Sequence, residues 1–160
     1  MHVDVVPVGK IDGEVLKTIC GALEETFGVT AEIANAQEIP EHAYVGKRGQ
    51  YLASEFVSIA SKGEGDKNIA VTDVDVYMPK LNFVFGQAEL SGKGCMISIY
   101  RLHGHELLER AKKEAVHEIG HTFGLEHCPN KRCVMSFSLS ILDVDYKEKR
   151  PCKKCERLCF

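Results

Sequence analysis

The stretch from Ala115 to Met135, AVHEIGHTFGLEHCPNKRCVM, constrains this chain more than any other, because few backbone paths let its reactive residues act together. It holds three histidines, two glutamates and two cysteines. On a helix each residue advances about 100°, so His117 and His121 lie roughly 40° apart and one turn from each other, and both imidazoles can reach one ion. Leu108, Ala111, Ala115 and Ile119 fall near the opposite side. That predicts a helix burying one face while turning both histidines to a cleft. Glu118 points to the side of the pair, where a carboxylate can touch a water at the metal without ligating the metal itself. Gly124 can take a positive φ, end the helix and swing the chain back under the site, which brings His127 within reach as a third ligand. Three neutral nitrogens leave the fourth position of a tetrahedral Zn²⁺ open, as catalytic zinc sites do.

Five of the seven cysteines, Cys128, Cys133, Cys152, Cys155 and Cys159, lie in the last part of the chain. An odd, clustered set argues for thiolates on a metal in a reducing compartment rather than for a disulfide scaffold. Cys128 and Cys133 flank a turn containing Pro129 and Asn130, and Cys152 and Cys155 form a second knuckle. The spacing predicts a closed structural zinc held by Cys128, Cys133, Cys152 and Cys155. Cys159, four residues beyond Cys155, is a rival for the fourth place; the paired knuckles are preferred. Lys131, Arg132, Lys153, Lys154 and Arg157 would offset the negative charge of four thiolates, which gives the local basic excess a reason other than nucleic acid. Cys20 and Cys95 sit alone in apolar patterns and read as small buried hydrophobes.

The remaining sequence sets the frame. With 160 residues and 44% hydrophobic content, one core and one catalytic domain spanning 1–160 are expected, with 1–124 as an upper part and 125–160 as a lower one. A net charge of -3 speaks against a nucleic-acid partner. No apolar run approaches the roughly 18 residues of a membrane span, and the first residues lack a secretory pattern, so a soluble, cytoplasmic monomer is expected. Strands are predicted over 1–8, 29–34, 68–77, 81–90 and 94–102, helices over 11–27 and 50–61, a loop over 37–49, and a further helix from about His105. Gly28 reads as the C-cap of the first helix, and Gly86 as a bulge or an edge where another backbone approaches. This order gives an α/β (α+β) fold: a mixed twisted sheet, covered by helices, with a small zinc-stapled C-terminal part.

The residues HEIGHTFGLEHC, CVM and CKKC resemble one family closely, the archaemetzincins of the metzincin clan of zinc peptidases. Metzincins carry H-E-x-x-H-x-x-G-x-x-H and a methionine turn beneath the metal. The resemblance covers about the last quarter of the chain and implies that Met135 is that methionine. It also implies that the strand around Asn82 to Ala88 is an antiparallel edge pairing with an extended peptide.

The expected function is hydrolysis of peptide bonds in a peptide or protein substrate, with two Zn²⁺ per chain, one catalytic and one structural. Zinc on His117, His121 and His127 would activate water, and Glu118 would serve as general base. Tyr146 is the only tyrosine beyond Met135 and no oxyanion role is assigned to it. His103 and His105 read as loop residues at a strand end. Two competing readings are a zinc-binding scaffold with little or no catalysis and a nucleic-acid module built on the cysteine knuckles.

Overall fold

The computed structural model describes residues 1–159. It opens with β1 (His2–Pro7), α1 (Gly13–Phe27) and β2 (Thr30–Ile33). Asp12 caps α1, its Oδ1 accepting from the Glu14 amide at 2.8 Å, which satisfies one of the first-turn N–H groups left without a helical partner. Gly28 closes α1 at φ 66°, its amide donating to the Glu24 carbonyl. That is the left-handed cap predicted from sequence. There follow β3 (Tyr44–Val45), β4 (Gln50–Leu52), α2 (Ala53–Ser61), β5 (Lys67–Thr72), β6 (Val76–Tyr77), β7 (Gly86–Ala88), β8 (Gly94–Ser98), α3 (Leu107–Thr122), α4 (Ile141–Tyr146) and α5 (Lys153–Cys159).

The main sheet has the order β2-β1-β5-β8-β7. Its first four strands run parallel, and β7 joins β8 antiparallel with Gly86 opposite Ile97 and Ala88 opposite Cys95. Side chains alternate between faces. Val3, Val5, Ile69, Val71, Cys95 and Ile97 enter the larger core with α1 and α3, whereas Val6, Ala70 and Met96 pack with Phe56, Val57 and Ala60 of α2. Helices thus cover both faces, as a mostly parallel sheet requires. Cys20 and Cys95 are both buried among hydrophobes. No helix among the described residues is long and apolar enough to cross a membrane.

Several element boundaries differ from expectation. The helix expected over 50–61 begins only at Ala53, because Gln50–Leu52 is strand, paired antiparallel with β3 and parallel with β6. The buried Gln50 amide holds it there by donating to Asp75 Oδ2 at 3.1 Å and to the Asn82 carbonyl at 2.8 Å. The strand expected over 68–77 breaks in two, and β6 crosses to the small sheet β3-β4-β6. The loop expected over 37–49 contains a 3₁₀ turn, Glu41–Ala43, as well as β3. Of 81–90, only β7 is strand. Upstream, the Leu81 carbonyl is taken by the Arg48 side chain, and the Asn82 carbonyl is shared by Arg48 and Gln50. The last strand stops at Ser98 rather than 102, and the cysteine-rich tail forms two short helices.

Candidate active site

The site is built on α3. Ala111, Ala115, Val116 and Ile119 are buried in the core and fix the helix against the sheet. His117 Nδ1–H donates to the Val134 carbonyl at 2.8 Å, and His121 Nδ1–H to the Leu125 carbonyl at 2.6 Å. Each bond sets the tautomer that leaves Nε2 as a bare acceptor. The two Nε2 atoms lie 3.1 Å apart. Two lone pairs facing each other at that distance repel unless a cation sits between them. A tetrahedral zinc with bonds of 2.0–2.1 Å would hold two nitrogens about 3.3 Å apart, so the pair fits that ion. His127 completes the group: the ligand nitrogens of all three histidines lie within 4.8 Å of one another. Burial, first of all, pushes His117 well below the ordinary imidazole value and lowers His121 and His127 as well. The neutral form that results is the one that ligates metal.

The chain returns under the helix by a tight reversal. Gly124 takes φ 95°, and the Gly124 and Leu125 amides donate to the carbonyls of His121 and Gly120, which satisfies groups exposed at the helix end. Met135 is fully buried. A Cβ on Gly120 would lie 2.6 Å from Met135 Sδ, so the methionine packs where only glycine leaves room. The Cys128 amide donates to the Met135 carbonyl at 3.0 Å and ties the third histidine's loop to this turn.

Glu118 is buried beside the edge strand. A Cβ on Gly86 would lie 2.7 Å from Glu118 Oε1 and 2.6 Å from the Met96 carbonyl. The glycine therefore makes space for the carboxylate, and the edge expected from sequence is a close approach of strand to helix. Burial pushes the Glu118 carboxyl well above its ordinary value, the nearby Glu114 adds to this, and Lys147 opposes it. A cleft of about 580 Å³ is lined by His117, Glu118, His121 and His127, by residues 81–88, and by Phe137, Ser138 and Leu139.

The second cluster lies beside the first. Sγ atoms of Cys128, Cys133, Cys152 and Cys155 are all within 4.8 Å of one another. Cys128 and Cys152 are 3.8 Å apart, beyond any S–S bond and matching the roughly 3.8 Å edge of a tetrahedron with 2.3 Å zinc–sulfur bonds. Amides of Cys152 and Met135 donate to Cys133 Sγ at 3.2 and 3.4 Å. The Cys155 backbone amide leads in drawing Cys152 down to about 7, while burial pushes Cys133 and Cys155 up. Cys159 lies outside this group, packed against the core.

Sequence reasoning missed the Glu114–Lys147 pair. Lys147 Nζ lies 3.3 Å from Glu114 Oε2 and donates to the Ser136 carbonyl at 3.2 Å, with both side chains buried. Nothing in a lysine-rich tail distinguishes this lysine from its solvated neighbours. His103 and His105 are exposed and outside the cleft, the first bonded to Asp73 at 3.0 Å. Tyr146 also lies outside the cleft, beneath the Arg132 guanidinium.

A helix-covered, mostly parallel sheet with three convergent imidazoles above a methionine turn defines a zinc metallopeptidase. The sequence model of peptidase family M54 matches residues 41–159. An archaemetzincin of Natronomonas pharaonis is 45% identical over 170 residues, covering 98% of each chain. Among solved structures, the archaemetzincin of Methanopyrus kandleri superposes with a TM-score of 0.91 at 40% identity, over 99% of this chain and 93% of that one. The archaemetzincin of Archaeoglobus fulgidus, complexed with malonate, gives a TM-score of 0.89 at 34% identity over 99% of both. The chain belongs to peptidase family M54, the archaemetzincins.

Proposed function

We propose that His117, His121 and His127 hold a catalytic zinc, that Glu118 is the general base of peptide hydrolysis, and that Cys128, Cys133, Cys152 and Cys155 hold a second, structural zinc. The observation that carries this reading is the orientation of His117 and His121. Each gives its Nδ1–H to a backbone carbonyl, so that two bare Nε2 atoms converge in the cleft that Glu118 also lines. Zinc bound there supplies a Lewis acid that polarises the scissile carbonyl and lowers the pKa of water, and its charge favours the ionised form of Glu118.

The chain's own residues do the rest. An extended substrate adds to the free edge of β7, its backbone bonding along 86–88, which lays the scissile bond over the imidazoles. Glu118 accepts the proton of the attacking water at a carboxylate oxygen and returns it to the leaving amine. Residues 1–124 supply the sheet, base and two imidazoles, and 125–160 supply the third imidazole and the methionine turn, as two parts of one catalytic unit.

Comparing Glu118→Ala with the parent protein on a peptide library tests the assignment. The expected result is a loss of about 10²- to 10⁴-fold in kcat/KM with zinc content unchanged. Equal cleavage by both proteins would overturn the general-base role. A parent that binds zinc and cleaves nothing would be a scaffold.

A further inference from the structure

Among the described residues, three buried side-chain atoms lack a hydrogen-bond partner: Gln87 Oε1, Glu114 Oε1 and Ser138 Oγ. All three residues line the cleft already described. A buried polar atom left unpaired costs about 1–3 kcal/mol, so a set of them gathered on one cavity points to a ligand that pairs with them. The Glu114 carboxylate is fixed, since Oε2 is committed to Lys147 Nζ, which is itself anchored on the Ser136 carbonyl. Its Oε1 remains free. Ser138, two residues beyond Ser136, adds an unpaired hydroxyl to the lining of the same cleft. Glu114 lies three residues before His117 and four before Glu118 on α3, so it neighbours both on the helix surface. Gln87 follows Gly86 on β7, and alternation sends its side chain to the face away from Glu118. It is a separate position along the cleft.

We propose that Glu114 and Ser138 form a polar subsite that selects a substrate residue bearing a primary amide, glutamine above all, next to the scissile bond. The proposal rests on the peptidase reading and deepens it. Glu114 Oε1 offers an acceptor and Ser138 a hydroxyl donor, and a primary amide carries the complementary N–H and C=O on one rigid group. Glu114 and Lys147 already form a neutral pair. A substrate lysine would add an uncompensated buried cation, and a substrate glutamate would meet a carboxylate. An aliphatic side chain would leave both polar atoms unpaired. Phe137 and Leu139, which flank Ser138 in the cleft wall, suit the methylenes of a glutamine stem.

Alanine hexapeptides carrying glutamine, methionine, glutamate or lysine at either residue flanking the central bond test this with the zinc-loaded protein. At one flank, kcat/KM for glutamine exceeds that for methionine, its near-isostere, by about tenfold or more, with glutamate and lysine below methionine. In Ser138→Ala and in Glu114→Gln the glutamine-to-methionine ratio falls toward one. A ratio within one variant does not depend on how much of that variant folds. Equal rates for glutamine and methionine at both flanks, or a ratio unmoved in both variants, overturns the subsite. Calorimetric binding of the same peptides to zinc-loaded Glu118→Ala separates the two readings. A glutamine preference in binding without cleavage by the parent keeps the subsite and removes the peptidase assignment. Equal affinities remove the subsite whatever the parent cleaves.

Discussion

Gly86 and Gly120 shape the site by what they lack. At Gly86 an added methyl meets a backbone carbonyl on one side and the Glu118 carboxylate on the other, and the carbonyl cannot yield cheaply. Gly86→Ala therefore displaces the Glu118 carboxylate, and the expected outcome is a fall in kcat/KM of about 10²-fold with zinc content unchanged, checked by steady-state kinetics and metal analysis together. Gly120→Ala drives a methyl into Met135 Sδ instead. It destabilises the fold by about 1–3 kcal/mol, measurable by denaturant unfolding. Neither demand is written in the local sequence, since Gly120 looks like any helix glycine until a methionine fifteen residues away packs on it. The histidine and cysteine clusters were legible because helical and knuckle spacings are local geometry. The Val134 and Leu125 carbonyls that orient the imidazoles were not, because a backbone carbonyl carries no residue signature.

The helices α3 and α4 are tied by Arg110, whose guanidinium donates to both Asp145 oxygens at 2.8 and 2.9 Å. These bonds hold the Asp145 carboxyl below its usual range, against a smaller opposing effect of burial. A depressed carboxyl contributes stability that is present above its unfolded value of about 3.9 and is lost as pH falls through the folded value. Asp145→Asn is therefore less stable than the parent by about 0.5 kcal/mol at pH 7, a modest figure because the pair is partly exposed. Thermal melts across pH should show this gap closing below about pH 4. Long periodic elements such as α1 were readable in the sequence together with their caps. The strand β4 was not, because Tyr51 and Leu52 suit a helix as well as a strand and the choice is made by the distant Asp75 and Asn82. The shortening of β7 has the same origin, in side chains from elsewhere that claim its upstream carbonyls.

For the molecule as a whole, elemental analysis should find two zinc ions per chain. His117→Ala loses one and keeps the fold. Cys152→Ala loses the other and unfolds the tail, because binding to the four sulfurs is folding free energy there. It also weakens the imidazole site, since His127 and Cys128 are joined by one peptide bond and the Cys128 amide is bonded to the methionine turn. The two margins of the main sheet are short, four residues on β2 and three on β7. An exposed strand edge invites other chains to pair with it, and short edge strands are one way proteins blunt that hazard. A margin of three residues offers too few backbone groups to recruit another sheet, so strand-to-strand aggregation has little to grow from.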